Sequence, residues 1–470
     1  MPRSLPSVTV VVTAYNHERF VVEAVDSALA QSYPAELVDV VVVNDGSADG
    51  TRRVLEDRFA GHPRVRLVHQ ENRGFVGAVN RGLEEVRGEL VALLDADDTW
   101  PLDRLDRLAT VLAERPEVGL VHGDMEIVDA TGAVLHESFF AYSRFDLRTG
   151  RVLAPLIAQC FISGGASLWR AEFLDVVHPI PEELIYPDWY IGSRIAERAE
   201  IRHVDGSVNQ YRMHGANMGL GGSGKKFFAD MRHNVRIQRW MLGHLDTSAE
   251  PVDGLWTAAS AMVSRTERCA LELGLRPTEI HAVTGEQRAA AAERAAEARA
   301  LLDRGRLDDA MRAYVAALAL NPFDGGARAD LTVAAARRQR LVAAVDERGG
   351  VPETREAVVV AFAAELAAAP EMLAAYARVM SDAEPVTLLI AVAPEEADAL
   401  TPALADAAAA AGLEDGGAAD VLLHACATPD ELLLAPLCAV YTRAEPPAPL
   451  HGLPRVDDAG ELSALLPAAA

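Results

Sequence analysis

The sequence predicts an α/β fold: a mostly parallel sheet with helices on both faces, then an α-helical region and a small α/β domain. Three observations predict it. Through the first hundred residues, apolar and β-branched runs alternate with stretches of helical periodicity. Each run stops at polar residues, most abruptly at Leu93-Leu94-Asp95-Ala96-Asp97-Asp98. At 470 residues the chain is too long for one ordinary domain.

The elements follow in order. Val8 to Thr13 reads as a buried central strand. Asn16 is placed to cap the next helix, in which Phe20, Val21, Ala24, Val25, Ala28 and Leu29 share one face. Val38 to Val43 is a second strand, ending in the turn residues Asn44-Asp45-Gly46-Ser47. A helix over 49–59 leads to a third strand, Val65 to His69, then to Glu71-Asn72-Arg73-Gly74 and a helix through Val86. Leu90 to Leu94 is the fourth strand. The β-α-β-α-β-α-β order specifies a parallel sheet. Further on, Val118 to His122 is a strand, and Met125 to Val128 and Ala133 to His136 flank a hairpin turn at Asp129-Ala130-Thr131-Gly132.

In a parallel sheet the carboxyl ends of the strands lie on one edge, where ligands bind. That edge would gather Thr13, Tyr15, Asp45, Arg73, Asp95 and Asp97. Side chains alternate along a strand, so Asp95 and Asp97 point the same way, about 7 Å apart. Two hard oxygen ligands suit Mg²⁺ or Mn²⁺ with substrate phosphates in the open positions. A planar aromatic, a carboxylate and a metal pair together suit a nucleoside diphosphate. No G-x-G-x-x-G or P-loop is present, which argues against a dinucleotide and a Walker-type ATPase.

The net charge of −25 argues against nucleic acid as a partner and against an electrostatic grip on anionic lipid. Cys160, Cys269, Cys426 and Cys438 show no metal or disulfide spacing, which fits a reducing cytoplasm. No apolar run reaches the ~20 residues of a transmembrane helix, and the N-terminus lacks a signal pattern. A cytoplasmic protein is expected, with peripheral contact at the inner membrane face if its acceptor is membrane-bound.

Four ordered motifs carry a resemblance. Thr13-Ala14-Tyr15-Asn16, Asn44-Asp45-Gly46-Ser47, Asn72-Arg73-Gly74 and Leu94-Asp95-Ala96-Asp97-Asp98 with Trp100 resemble family-2 glycosyltransferases, which have the GT-A fold. The resemblance covers roughly the first 215 residues and implies a sugar transferase using a nucleotide-diphospho-sugar, with UDP the favoured nucleotide. It implies that Thr13, Tyr15 and Asp45 hold the base, that Arg73 lies near the diphosphate, and that Asp95 contacts ribose or metal. It assigns Asp97 to the metal. Ser163 to Arg170 resembles the segment beneath the donor sugar. Pro187-Asp188-Trp189 resembles the acidic motif of the general base, with proline in the first acidic position; Asp188 would be the base and Trp189 its apolar neighbour. Gln210-Tyr211-Arg212-Met213-His214 resembles the family's closing motif, which places His214 near the metal.

Plainer readings stand beside these. Asp188 could cap its helix, and Arg73 could cap a turn. The Gly-rich, basic stretch 220–226 could be a lid or a linker.

The remainder divides the chain into 1–226, the transferase domain; 227–383, helical; and 384–470, small α/β. Trp240, Met241, Leu255, Trp256, Met262 and Val263 are candidate core residues of the helices from Phe227 to about Leu275. Within about 285–345, Ala298, Leu302, Gly305, Leu307, Ala310, Tyr314 and Pro322 match a tetratricopeptide repeat, which suggests a protein partner or, as an alternative, a spacer. Alanine-rich helices are expected over 327–344 and 354–380. From 384 onward, Rossmann-like periodicity without a phosphate motif is expected. The implied activity is inverting hexosyl-type transfer to a glycan, lipid-linked or protein hydroxyl, with Mn²⁺ or Mg²⁺ on the Asp-Ala-Asp motif. Two other classes remain: a catalytically inactive domain in an interaction scaffold, and a sugar nucleotidyltransferase, for which the N-terminal Gly-rich basic loop is missing.

Overall fold

The computed structural model describes residues 5–143, 148–214, 225–346, 357–380 and 386–411, and between 413 and 464 residues 413, 420–426, 428, 432, 437–447, 450 and 453–464. Residues 220–224 of the Gly-rich basic loop and the tail from 465 lie outside them. The chain divides into two compact units: 1–289 with 318–323, and 290–317 with 324–470.

In the first unit, β1 (Val8–Ala14), α1 (Val21–Leu29), β2 (Val38–Asp45), α2 (Thr51–Phe59), β3 (Val65–Gln70), α3 (Gly74–Leu83) and β4 (Leu90–Asp95) alternate as the sequence predicts. The strands pair in parallel in the order β3-β2-β1-β4. Every residue of β1 is buried, as both faces are covered by helices. The register sets Thr13 opposite Asp95 and Ala14 opposite Asn44, so the polar strand ends share one edge. Asn16 is not the cap of α1, which begins five residues later; it sits in the left-handed region with φ 59°.

Beyond β4 come α4 (Arg104–Glu114), β5 (Val118–Asp129), β6 (Val134–His136), the short α5 (Phe139–Ser143) and α6 (Leu153–Ala158). Next are β7 (Ser167–Arg170), α7 (Leu174–Val177), α8 (Pro187–Ala196) and β8 (Glu200–Met213). The sheet continues β4-β7-β5-β6, with β8 alongside β5. β7 is antiparallel to both β4 and β5, and the β5–β6 hairpin forms over the expected turn. The first unit is thus a mixed α/β structure with a mostly parallel half.

The long helices α9 (Lys225–His244) and α10 (Val252–Leu273) belong to this unit, as does α11 (Pro277–Ile280). Gln238 donates to the carbonyls of Ile157 and Ala158, and Arg265 also donates to Ala158. Met241, Leu255, Met262 and Val263 are buried. Trp240 and Trp256 are only half-buried; Trp240 stacks on His244 at the surface.

Three helices follow: α12 (Gly285–Asp303), α13 (Leu307–Leu320) and α14 (Gly325–Asp346). Gly305 makes the turn between the first two with φ 77°, and Tyr314 Oη donates to Asp330 across to the third.

The second unit ends in a five-stranded sheet. Its elements are β9 (Ala357–Phe362), α15 (Ala363–Ala368), α16 (Glu371–Val379), β10 (Val386–Val392), α17 (Ala397–Ala410), β11 (Asp420–Ala425), β12 (Leu437–Tyr441) and β13 (Arg455–Val456). The expected helix over 354–380 is therefore corrected. Val358, Val359 and Val360 form a buried strand at the centre of the order β11-β10-β9-β12-β13, all parallel. Three consecutive β-branched residues outweigh the alanine around them. Among the described residues no helix is long and apolar enough to cross a membrane.

Candidate active site

A cavity of about 1080 Å³ opens at the carboxyl edge of the first sheet. Thr13, Tyr15, Asp45, Asp95, Asp97, Asp188, Trp189 and His214 all line it. Arg73, alone among the expected site residues, does not. Its guanidinium turns outward to Glu182 at 2.8 Å, while its backbone N–H donates to Asp45 Oδ1.

Two turns build one wall. Gly46, at φ 70°, lets the chain reverse directly after β2, and a Cβ there would meet the Asn72 nitrogen at 2.7 Å. That approach brings the 72–74 turn against Asp45, which is buried and also accepts from Gln70 Nε2 at 2.7 Å. Both bonds fall on Oδ1. Tyr15 is 47% exposed at the rim.

The acidic turn after β4 is held from beneath. Asp98 lies in this turn, six residues before α4 begins. It is buried and accepts from Asn209 Nδ2 and the Arg212 N–H, both at 2.9 Å. Burial, with the charges of Asp97 and Asp95, holds its carboxyl well above the usual range. Arg212 Nε also donates to the Asp97 carbonyl at 2.9 Å. The end of β8 is thereby fastened to the acidic turn, and His214 Nε2 lies 2.9 Å from Asp97 Oδ2. His17 Nε2 approaches the same oxygen at 3.7 Å. The three ligand atoms lie within 4.8 Å of one another, so the donor set fits a divalent cation. Asp95 is pushed up to about 7, by burial first and then by the charges of Asp97 and Asp188.

Asp188 lines the same cavity. Pro187 occupies the first turn of α8, where its missing N–H costs nothing, and Tyr186 is the cap residue. Tyr186 makes no side-chain capping bond, and Asp188 is the second residue of the helix. The N–H groups of Trp189 and Gly164 donate to its carboxylate, the first at 2.8 Å. Burial outweighs these donors and pushes its carboxyl up to about 6. Trp189 is buried, and its indole N–H donates to the Leu156 carbonyl at 2.7 Å.

The floor is Ser163-Gly164-Gly165. Arg104 is fully buried below it, with its guanidinium 3.6 Å from the Trp100 ring. It donates to the carbonyls of Gly165 and Ser167 at 3.1 and 2.7 Å, which fixes the floor's height. Phe139, Phe140, Phe161, Ile162 and Met125 make the remaining wall apolar. His122 is fully buried behind Phe140 and Phe161 and is held neutral by burial, down to about 3, so it is placed to pack rather than to react.

Sequence reasoning missed His17, Asp98, Asn209 and Arg104. His17 had a signal, a histidine one residue past the first strand-end motif. The others act through burial, which no local pattern records.

Residues 9–175 match the family model Glycosyl transferase family 2. An uncharacterized glycosyltransferase of Nostoc is 31% identical over 218 residues, covering 45% of this chain and 66% of that protein. A chondroitin synthase of Escherichia coli is 25% identical over 220 residues, covering 46% of this chain and 30% of that protein. Among solved structures, S. aureus TarS 1-349 in complex with UDP-GlcNAc aligns at a TM-score of 0.43 and 19% identity, over 66% of this chain and 91% of that one. The N-terminal part of the chain carries a family-2 glycosyltransferase domain; the matched residues include Thr13, Tyr15, Asp45, Asp95 and Asp97 of the cavity, while Asp188, Trp189 and His214 lie beyond them.

Proposed function

We propose that this domain is an inverting, metal-dependent glycosyltransferase that moves a hexosyl group from a nucleoside-diphosphate donor to a hydroxyl acceptor. The observation that carries the reading is the presence, in one cavity, of a half-buried carboxylate raised to about 6 and a histidine–carboxylate cluster. The first suits proton removal near neutral pH; the second suits a cation.

Each residue has a task. Tyr15 flanks the base, and Asp45 Oδ2 accepts its N–H while Oδ1 stays tied to Gln70 and Arg73. Thr13 lies beside Asp95 at the ribose. Asp97 and His214 hold the cation, whose charge offsets that of the leaving diphosphate. Asp188 takes the proton from the acceptor hydroxyl as its oxygen attacks the anomeric carbon from the face opposite the leaving group. Its backbone donors fix the carboxylate, and the apolar wall keeps water from competing. Arg73, paired with Glu182 at the rim, reaches the diphosphate only by leaving that partner.

UDP is the favoured nucleotide, and the acceptor class is a glycan, a lipid-linked sugar or a protein hydroxyl. The tetratricopeptide-like stretch α12–α14 is assigned to a protein partner. The parallel C-terminal sheet, in the order 3-2-1-4-5 counted from β9, is read as Rossmann-like. A cytoplasmic location with peripheral membrane contact accords with the lack of a spanning helix among the described residues.

A donor screen tests the reading. Nucleotide-sugars incubated with the full chain and Mn²⁺ should release free nucleotide slowly, and chelation should stop the release. Absence of both hydrolysis and nucleotide binding across donors would favour an inactive domain in a scaffold.

A further inference from the structure

We propose that His17 is a third protein ligand of the cation site. The two-imidazole, one-carboxylate set then selects a first-row transition ion over Mg²⁺ and takes it up before any nucleotide arrives. The inference rests on the reading of Asp97 and His214 as cation holders.

The backbone aims His17 at this position. Asn16 is the one non-glycine residue at positive φ among the described residues. Such a conformation persists where the surroundings over-determine it. Here the Asn16 N–H donates to Ser47 Oγ at 2.9 Å, and its Oδ1 accepts from the Ala48 N–H at 2.8 Å. The His17 N–H donates to Thr51 Oγ1 at 2.8 Å. Two bonds to the turn after β2 and one to the first residue of α2 thus clamp residues 16 and 17. Its Nε2 lies 3.7 Å from Asp97 Oδ2, and its ring meets that of His214 edge-on at 6.1 Å. Phe20 packs on the far side of His214, 5.1 Å between ring centroids, and fixes that ring in turn. All three side chains are mostly buried yet line the cavity, so the cluster keeps a face toward the donor.

The donor chemistry sets the preference. Mg²⁺ favours oxygen ligands and is commonly held by one or two carboxylates plus substrate phosphates. Imidazole nitrogens favour Co²⁺ and Zn²⁺, with Mn²⁺ below them in the same order. Three protein ligands also give a cation enough partners without nucleotide.

His17 has a second possible role, and the two differ in where the proton sits. The Tyr15 N–H lies 3.4 Å from His17 Nδ1. If Nδ1 accepts that hydrogen, Nε2 carries the proton and His17 only props Asp97. A metal-bound His17 carries its proton on Nδ1 instead, and this long contact opens.

The test uses the full chain without nucleotide, titrated with Mn²⁺, Co²⁺ and Mg²⁺. Mn²⁺ is followed by loss of the free-ion paramagnetic signal, and its nitrogen ligands are counted by electron spin-echo modulation. Co²⁺ is followed by its visible absorption. Wild-type protein should bind Co²⁺ and Mn²⁺ well ahead of Mg²⁺ and show two imidazoles. His17→Gln keeps an amide that can hydrogen-bond Asp97. It should melt at the wild-type temperature, show one imidazole and bind Mn²⁺ about tenfold or more weakly. Wild-type affinity and two imidazoles in His17→Gln would reduce His17 to a prop. Cation binding that needs UDP would overturn the order of loading and leave the donor-site reading standing. No binding even with UDP would overturn the donor-site reading itself.

Discussion

The chain contains two sheets flanked by helices, the first parallel through β3-β2-β1-β4 and the second parallel throughout, and their carboxyl edges differ in how charge is handled. At the edge of β1, β2 and β4, Asp45, Asp95, Asp97 and Asp188 face one cavity. Burial raises the carboxyl of Asp188 to about 6, and burial with the charges of Asp97 and Asp188 raises that of Asp95 to about 7. At the edge of β9 and β12, charge is settled locally. Glu365 accepts from Thr442 Oγ1 and from the Arg443 N–H, and the Arg443 guanidinium pairs with Glu371 at 2.8 Å. The two edges share a topology rule for ligand sites, but among the described residues the first retains unsettled charge of the kind chemistry requires, whereas the carboxylates named at the second are paired.

The sharpest way to break this comparison is to remove the raised carboxylate. Asp188→Asn should cost ~10²–10⁴ in transfer rate, measured as product formation with saturating donor. Near-normal turnover would place the base elsewhere, with Asp124 a poor substitute because its carboxylate already binds Ser138 and the N–H groups of Phe140 and Met125.

The next effect is in pH. Asp188 works as the carboxylate, so kcat/KM should hold above about 6 and fall about tenfold per unit below it. Stability should run the other way. A carboxyl whose folded value is raised stays protonated in the fold while the unfolded chain ionises. The penalty is absent below about pH 4 and complete above about 6. Asp188→Asn should therefore melt higher than wild type at pH 8, and that excess should shrink toward pH 4.

Asp45→Ala should weaken nucleotide affinity about tenfold to a hundredfold, read by calorimetry, as one buried acceptor is lost. The smallest effect on activity should come from the other sheet. Leu388→Ala, in the core of β10, should cost ~2–5 kcal/mol in the stability of the second unit, yet leave donor hydrolysis unchanged. A parallel loss of hydrolysis would show that the two edges are coupled.

The first sheet was legible because its strands and helices carry unmixed periods, and the site because its residues sit at strand ends. Val8–Ala14 and Leu90–Asp95 are buried on both faces, and such strands read as unbroken apolar runs. β9 was lost because three valines lie in an alanine-rich stretch whose average composition is helical. The resemblance places Arg73 near the diphosphate; the partner it meets in this structure, Glu182, is 109 residues away and left no local trace. Asp98 stands in the acidic motif without a task of its own, because its partners, Asn209 and Arg212, arrive from β8 more than a hundred residues later. The environment of Asp188 left no local trace either, since its carboxylate accepts from the Gly164 N–H of a segment distant in sequence as well as from its neighbour Trp189.

The central claim is that the two sides of the cavity do separate work: Asp97 binds, and Asp188 reacts. Calorimetric titration of UDP in the presence of Mn²⁺ tests it most directly. Asp188→Asn should bind the nucleotide as wild type does, with the same dependence on metal, whereas Asp97→Asn should lose both the binding and the metal dependence. Equal loss in the two variants, or undiminished binding in Asp97→Asn, would contradict the division.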